Sequence, residues 1–209
     1  MNCEKIKKLR GRNAGVIKTE SCRESSVCVP IIKDGEEIRL LFEVRSPKIK
    51  TQPGDICFPG GRLEEGEAPQ ETALREICEE LLINPQQVNV ICPLDIFCDG
   101  CLMIHPYLAE LDDYCGSFSG DEVSEVFTVP LTGFLKKQPQ RHALELVHLK
   151  SESFPYHLIN GGEEYHFRRR FDDELFYVCK DSEGRERVIW GITARIIKSL
   201  ADLLTTGDE

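Results

Sequence analysis

Apolar runs broken by turn residues predict a chain that is rich in β-strands for most of its length. The runs at 26–32 and 39–44 flank the turn Lys33-Asp34-Gly35, so we expect a hairpin there. The segment 46–55 carries prolines and lysines and is a predicted loop. Further strands are predicted at 56–58, 88–94, 104–111, 123–129, 144–149 and 176–179.

Two segments have apolar residues at helical spacing. The first helix is predicted from about Pro69 to Leu82, with proline at an early position and Asn84-Pro85 ending it. The second is predicted over 189–204, with one apolar side formed by Ile192, Ile196, Ile197, Leu200, Leu203 and Leu204. Strands combined with two helices of this kind predict the α/β class, as an α/β/α sandwich with a central mixed β-sheet.

Composition and charge narrow the classes of function. The 209 residues are 41% hydrophobic and 30% charged, which suits one globular domain with a real core. Asp and Glu number 36 against 26 Lys and Arg, a formal net charge of −10. A chain this acidic lacks the basic surface that nucleic-acid binders need, so we expect no nucleic-acid partner. An anionic substrate would then need local cations or a bound metal.

The first residues run against the acidic trend. Lys5, Lys7, Lys8, Arg10 and Arg12 accompany a single acid within 1–12, and no apolar core follows as in a secretion signal. We therefore predict a basic extension or helix at 1–25 and one domain at 26–209. No apolar run has the length of a membrane span, so we expect no membrane partner. Ten cysteines without a disulfide framework indicate reduced thiols and a cytoplasmic protein.

The first predicted helix carries clustered negative charge on one side, which lowers its stability. At about 100° per residue, three carboxylates share an arc of about 100°, opposite an apolar stripe. The carboxylates are Glu76, Glu79 and Glu80, and the stripe contains Leu74, Ile77 and Leu81. Like charges at this spacing repel, and the helix dipole disfavours anions in its C-terminal half. A solvated acidic face is one interpretation; the other is a site for Mg²⁺ or Mn²⁺, which prefer carboxylate oxygens.

The spacing of glycine and charge around this helix favours the metal site. Gly61, Glu67, Arg75, Glu76, Glu79 and Glu80 fit G-x5-E-x7-R-E-x2-E-E. Average residue usage would produce this match in fewer than about one chain in ten thousand. The segment 61–83 resembles the Nudix box, the signature of hydrolases that cleave a nucleoside diphosphate linked to another moiety. The resemblance implies the Nudix type of α/β/α sandwich.

The resemblance implies roles for the matching residues. Glu76, Glu79 and Glu80 would bind the catalytic metal, with the Gly60 carbonyl as a further ligand. Arg75 and Glu67 would brace the loop and helix, and Gly61 would have a structural role. The family usually has glycine at the position of Leu82, so we expect altered capping there. Asn84 tolerates left-handed geometry, although Pro85 favours an extended conformation at that residue.

Two other segments resemble the coenzyme A pyrophosphatase branch of the family. The upstream one contains Leu40, Leu41, Ser46, Lys50, Gly54 and Phe58-Pro59-Gly60-Gly61. The branch commonly has arginine at Lys50 and a hydroxyl residue at Phe42. The second segment is Arg187-Val188-Ile189-Trp190-Gly191-Ile192-Thr193-Ala194-Arg195. Together these similarities imply hydrolysis of coenzyme A to 3′,5′-ADP and 4′-phosphopantetheine.

Further residues follow from this interpretation. Arg45, Lys50 and Arg62 are candidate phosphate contacts because they lie near the box in sequence. The general base is left open between Glu76 and Glu122, with Asp121 and Glu125 as weaker candidates. Surface charge is the expectation for 168–170, and His105 is expected to be a packed core histidine.

Three functional hypotheses remain open. The first is the coenzyme A pyrophosphatase. The second is a broader Nudix hydrolase of ADP-ribose, dinucleotides or oxidised nucleoside triphosphates. The third is a non-catalytic Nudix-fold sensor or interaction module. Each of the three hypotheses implies that the protein binds a small nucleotide-type molecule. Whether the protein forms a homodimer is left open.

Overall fold

The fold is taken from a computed structural model that describes residues 7, 10–11, 16–147, 152–168 and 170–206. The elements of the first part are β1 (Arg23–Asp34), β2 (Glu37–Arg45), β3 (Ile56–Cys57), β4 (Gly60–Arg62) and α1 (Pro69–Leu81). Next come β5 (Val88–Pro93), β6 (Phe97–Cys98), β7 (Leu102–Leu111), β8 (Val123–Pro130) and α2 (Leu131–Lys136). The last are β9 (Gln140–Leu146), β10 (Arg170–Lys180), β11 (Glu186–Trp190) and α3 (Gly191–Thr205). Short 3-10 turns lie at Pro85–Gln87, Tyr156–Leu158 and Gly162–Glu164.

The larger sheet is mixed and contains eight strands of the described chain. Its main path runs β3-β2-β1-β7-β5, with β4 pairing β1, β6 pairing β7 and β8 pairing β2. The pairing of β1 with β7 is parallel, and each of the other pairings in this sheet is antiparallel. A smaller antiparallel sheet has the order β11-β10-β9.

The two faces of the larger sheet carry separate apolar clusters, because successive side chains of a strand point to opposite faces. One cluster packs α1 on the sheet and contains Ala73, Ile77, Leu81, Cys28, Leu41, Ala109 and Leu111. The other packs α3 on the opposite face and includes Val29, Leu40, Phe42, Ile196, Ile197 and Leu200. The predicted α/β/α sandwich around a mixed sheet is therefore confirmed.

Several element bounds differ from the predictions. Ile189 and Trp190 were expected to begin the last helix, but they end β11, and the helix starts at Gly191. Gly191 has a φ of +63°, a left-handed conformation that separates strand from helix. Residues 203 and 204 were placed on the apolar side of that helix, yet both leucines are exposed. The weaker predicted strands at 144–149 and 176–179 are the longer β9 and β10, and residues 148–149 lie outside the described part.

The division into an extension at 1–25 and a domain at 26–209 stays a prediction. Much of 1–12 lies outside the described residues, while β1 begins at Arg23, before the expected boundary. Within the described chain, no helix has the length and apolar character needed to cross a membrane.

Candidate active site

Two glycines bring the loop before α1 against the sheet. Gly60 and Gly61 in β4 pair with Val27 and Ser26 of β1. A Cβ on Gly60 would overlap the backbone of β1, and one on Gly61 would overlap the carboxylate of Glu76. Both positions therefore need glycine because the backbone is approached too closely for a side chain.

Arg75 connects the loop to the helix. Its Nε donates to Glu67 Oε1 at 2.9 Å, and its other nitrogens donate to Glu67 Oε2 at 3.1 Å and to Glu76 Oε1 at 2.9 Å. A longer hydrogen bond of 3.3 Å reaches Glu79 Oε2. Donation from Arg75, with help from the Thr72 hydroxyl, lowers the pKa of Glu67 to about 2. Arg75 and Glu67 thus have the geometry expected for bracing residues.

The ends of α1 follow local sequence signals except at one residue. Pro69 begins the helix, and the Glu71 carboxylate accepts from the Ala68 backbone N–H at 2.9 Å. The C-cap is Leu82, with φ 53° and ψ 47°, in the left-handed region where glycine is usual. Asn84 is extended, with φ −85° and ψ 149°, as expected before Pro85. Leucine at residue 82, where the family usually has glycine, therefore adopts a left-handed cap conformation that is strained for a residue with a Cβ.

The three glutamates of the acidic side differ in exposure. The side chain of Glu79 is 63% exposed, whereas that of Glu76 is only 14% exposed. Glu80 is buried, and its Oε2 accepts from the Gly60 N–H at 2.8 Å. Burial raises the pKa of both Glu76 and Glu80, and nearby carboxylates raise the pKa of Glu80 further. The carboxylates on the acidic side of α1 therefore range from the exposed Glu79 to the buried Glu80.

Glu43 is a residue of this region that the sequence analysis did not single out. It lies in β2, is 1% exposed, and pairs across the strands with Cys57. Desolvation raises the pKa of Glu43 to about 7, and the charges of Glu122 and Glu76 act in the same direction. The sequence did contain a signal, because Glu43 lies inside the apolar run Leu40-Leu41-Phe42-Glu43-Val44. Charged residues are rarely buried in a strand unless they are paired.

The loop that carries Glu122 is attached to the predicted coenzyme A segment. The Ser46 N–H donates to the Glu122 carbonyl at 2.7 Å, and the buried Ser46 lies at the end of β2. Desolvation is the largest cause of the raised pKa of Glu43, Glu76 and Glu80, and the charge of the exposed Glu122 raises each of them slightly further. Asp121, a weaker candidate for the base, is 3.9 Å from Lys48 and fully open to solvent.

A cavity of about 490 Å³ adjoins the box at Gly60. Its wall includes Arg45, Asp55 and Phe58 from the upstream segment, and Trp190 and Arg195 from the C-terminal segment. The box carboxylates are not part of this wall. The two segments that resemble the coenzyme A branch, far apart in sequence, therefore meet around one cavity beside the box.

The predicted phosphate contacts are placed differently from one another. Arg45 lines the cavity and donates from Nε to the Thr51 carbonyl at 3.2 Å. Lys50 is exposed on the loop after β2, and Arg62 is exposed in β4, with its carbonyl accepting from Arg75 at 3.3 Å. Arg170, which was expected to be surface charge, is exposed but also lines the cavity. Arg169 lies outside the described residues.

The remaining residues named from the sequence are Glu125, His105 and Phe42, and each is held by contacts within the fold. Glu125 accepts from Arg187 Nη1 at 3.0 Å and from Arg185 at 2.7 Å, so its charge belongs to an ion-pair network with Asp181. His105 is largely buried, as expected for a core histidine, and its Nε2 lies 3.6 Å from Glu24 Oε1. Phe42, which replaces a hydroxyl residue of the branch, is buried and stacks on Phe58 at 5.0 Å.

The donor set suits a hard divalent cation. Glu43 Oε2 is a buried carboxylate oxygen without a hydrogen-bond partner, and neighbouring carboxylates raise one another's pKa. Mg²⁺ and Mn²⁺ prefer such oxygens and offset their repulsion. In the described residues no group of three acidic, histidine or cysteine side chains already converges as a metal cage. Arg75 meanwhile holds Glu76 and Glu79, so these two would have to reorient toward an ion.

Comparison with known proteins identifies the class. Residues 23–149 match the NUDIX domain family, which is more than half of the chain. The chain therefore belongs to the NUDIX domain family, as its box predicted.

Three relatives indicate which branch of the family the chain resembles. The chain is 40% identical over 121 residues to the peroxisomal coenzyme A diphosphatase NUDT7 of Mus musculus, covering 56% of this chain and 51% of that protein. It is 33% identical over 125 residues to the peroxisomal coenzyme A diphosphatase ndx-8 of Caenorhabditis elegans, covering 57% and 53%. The chain thus spans about half the length of these two relatives. A Klebsiella pneumoniae protein, the uncharacterized Nudix hydrolase NudL, is 31% identical over 86% of this chain and 81% of its own length. The predicted likeness to the coenzyme A branch is confirmed.

Proposed function

We propose that this protein is a Mg²⁺- or Mn²⁺-dependent pyrophosphohydrolase that cleaves the diphosphate of coenzyme A or its derivatives. The products would be 3′,5′-ADP and 4′-phosphopantetheine or its derivative. The observation that carries this proposal is the cavity beside Gly60, because both segments that resemble the coenzyme A branch contribute to its wall. A volume of about 490 Å³ is within the range of small-molecule sites.

The cavity offers the chemistry that a nucleotide-type substrate requires. The wall holds three arginines and four acids, and Arg170 and Arg195 lie 3.3 and 3.9 Å from the wall carboxylates of Asp172 and Glu174. Arg45, which lies closest to the box in sequence, is therefore the proposed phosphate contact. Trp190 stacks on Phe176 with ring centroids 5.9 Å apart and presents an apolar wall. Charged phosphates and flat or apolar parts of one substrate would therefore each find a complementary surface.

The box residues would hold the metal. Glu76, Glu79 and Glu80 are the proposed ligands, with the Gly60 carbonyl in addition; the bound ion would activate water and neutralise the bridging phosphates. Arg75 bonds to Glu76 at 2.9 Å and to Glu79 at 3.3 Å. It would keep its hydrogen bonds to Glu67 and brace the loop while the two glutamates turn toward the ion. A new phosphorus–oxygen bond forms to water while the bond to the bridging oxygen breaks, and the leaving phosphate takes the electron pair.

A general base must take the proton of the attacking water. Glu122 is an exposed carboxylate on the loop before β8, while Glu76 is largely buried and bonded to Arg75. Both stay candidates, and substitution separates them. Glu122→Gln should lower kcat by about 10²-fold or more and remove the acidic limb of the pH–rate profile if Glu122 is the base. Glu125→Gln is the matched control because Glu125 pairs with Arg185 and Arg187 instead.

Assays of the purified protein with Mg²⁺ against coenzyme A, ADP-ribose and nucleoside triphosphates test the substrate. We expect the largest kcat/KM for coenzyme A, with 3′,5′-ADP among the products. Equal or greater turnover of ADP-ribose or the triphosphates would favour the broader hydrolase. Substrate binding without turnover at any tested metal concentration would favour the non-catalytic sensor.

The place of action and the assembly state are proposals as well. We propose a cytoplasmic protein on the basis of its cysteines, which have no disulfide framework. The mouse relative is peroxisomal by name. A homodimer stays a prediction, and sedimentation of the purified chain tests it.

A further inference from the structure

We propose that Glu43, outside the Nudix box, is an additional acidic residue of the divalent-metal site, with its Oε2 directed to the ion or to a water bound to it. This inference rests on the proposed function, since it concerns the same metal. It extends the site from α1 onto β2.

The first support is the position of Glu43 on the sheet. Leu41, two residues earlier in β2, packs against α1 in the cluster with Ile77. Side chains two apart in a strand point to the same face, so Glu43 also points to the face that α1 covers. Its charge is the foremost charge contribution to the raised pKa of Glu80, the buried ligand candidate of α1. Glu43 on the strand and Glu80 on the helix are therefore close enough for their charges to interact.

The second support is the pattern of hydrogen bonds around the carboxylate. Glu43 is 1% exposed, and its Oε1 accepts from the Cys57 Sγ at 3.2 Å. Its Oε2 is buried and has no partner. A buried charged oxygen without a partner costs several kcal/mol or more, so such groups are paired or coordinate metals. The thiol of Cys57 fixes one oxygen and leaves the other for a ligand.

The third support is the sign of the surrounding charge. Glu76, Glu80 and Glu122 all lie near enough to Glu43 to repel it, and Arg45 is the cation that acts on it in the opposite direction. Arg75 also pairs with Glu76 at 2.9 Å, so two arginines face four carboxylates and do not balance them. A divalent cation among them would supply the missing positive charge and would satisfy Glu43 Oε2.

Mn²⁺ binding in the absence of nucleotide tests this role without relying on turnover. Electron paramagnetic resonance of free Mn²⁺ would give the dissociation constant for the wild type, Glu43→Gln and Glu43→Met. We expect both variants to bind Mn²⁺ at least about tenfold more weakly, the size of effect found for residues that support a metal site. Glu110→Gln is the matched control, because Glu110 lies in the same sheet but pairs with Lys33. It should bind like the wild type.

Stability in the metal-free state separates a metal role from a structural one. Both variants remove a buried charge without removing volume, so they should unfold in EDTA at the same temperature as the wild type or higher. Only the wild type and Glu110→Gln should gain the full stabilisation from added Mn²⁺. Wild-type Mn²⁺ affinity in a folded Glu43 variant would overturn the proposal.

If the variants do not fold, a crystal of the wild type soaked in Mn²⁺ tests whether Glu43 belongs to the metal site. An anomalous peak within about 5 Å of the Glu43 carboxylate supports the role, directly or through one water, and a more distant peak overturns it. Failure of the proposed function gives a different result. Absence of Mn²⁺ binding in the wild type would remove both proposals. Loss of binding in Glu79→Gln alone, with Glu43→Gln unaffected, would remove only the role of Glu43.

Discussion

The carboxylate of Glu76 lies in the space that a Cβ on Gly61 would need, with its Oε1 nearest to that Cβ position. The helix thereby holds the first of the three clustered glutamates against the backbone of β4. This contact explains why glycine precedes the charged positions of the box: the spacing aligns a strand, a turn and one helical face.

Gly61→Ala should displace Glu76 and lower kcat by about 10²-fold or more, because an added Cβ overlaps the carboxylate. It should lower the free energy of unfolding by at most about 1 kcal/mol, the lower end of the cost of overpacking, because the atoms that must move are the end of a flexible side chain. Steady-state kinetics and urea denaturation measure the two effects. Gly120→Ala is the control, since a Cβ at Gly120 meets nothing within 4 Å. Normal turnover in Gly61→Ala would contradict the assignment of Glu76.

Glu79→Gln should abolish metal-dependent hydrolysis and leave the fold unchanged. Its side chain is 63% exposed and its bond to Arg75 is long at 3.3 Å, so the free energy of unfolding should change by less than about 0.5 kcal/mol. Circular dichroism and an assay with Mg²⁺ measure these outcomes. The control is Glu65→Gln, at an exposed acid of the loop before α1 and outside the six-residue pattern, which should keep full activity. Retained turnover in Glu79→Gln would show that this residue does not bind the metal.

Leu82→Gly should stabilise the protein. Leu82 is left-handed with φ 53°, which costs a residue with a Cβ about 1–2 kcal/mol, and it is 61% exposed, so little packing is lost. The greater freedom of glycine in the unfolded chain offsets part of this gain, which leaves about 0.5–1 kcal/mol. Urea denaturation measures the difference. Leu203→Gly, at an exposed position inside α3, should instead destabilise by about 1 kcal/mol. A less stable Leu82→Gly protein would mean that the cap is not strained.

The metal-free protein should lose stability as pH rises from about 5 to about 8. Glu43, with its pKa raised to about 7, and Glu76, with a raised pKa, bind protons more readily in the folded state than in the unfolded state. The stabilisation that these two glutamates give the folded state is complete below the ordinary glutamate pKa. It is lost as pH rises through their pKa values in the folded state. Glu67, with a pKa lowered to about 2, changes only at lower pH.

Denaturation in EDTA and in Mg²⁺ across this range checks the expectation. Mg²⁺ should reduce the slope because it stabilises the ionised carboxylates, and Glu43→Gln should reduce the slope in EDTA. Stability in EDTA that rises steadily through this range would contradict the buried carboxylate cluster.

Trp190→Ala should raise KM for coenzyme A by about tenfold, because removal of the indole takes away part of the cavity wall. Mn²⁺ affinity should not change, since the box carboxylates are not part of this wall. Val188→Ala, another exposed side chain of β11, is the control. An unchanged KM for coenzyme A would place the substrate outside the cavity.

Local signals predicted α1 almost to the residue. Pro69 at its start and the extended residue before Pro85 act within a few positions of the chain, so they are readable without the fold. The last helix was predicted less well, because apolar spacing continues through Ile189 and Trp190 into the helix. Only the positive φ of Gly191 and the pairing of β11 with β10 separate the two elements.

By itself, the sequence determined the box: Gly61, Glu67, Arg75 and the three glutamates lie on one loop and one helix, where spacing alone decides which side chains are neighbours. Tertiary structure decided what surrounds that helix. It buried Glu80 and Glu43, and it brought Arg45 and Trp190 to one cavity. The reason is physical: helical neighbours follow from a fixed geometry along the chain, whereas contacts between strands and helices depend on how the sheet assembles.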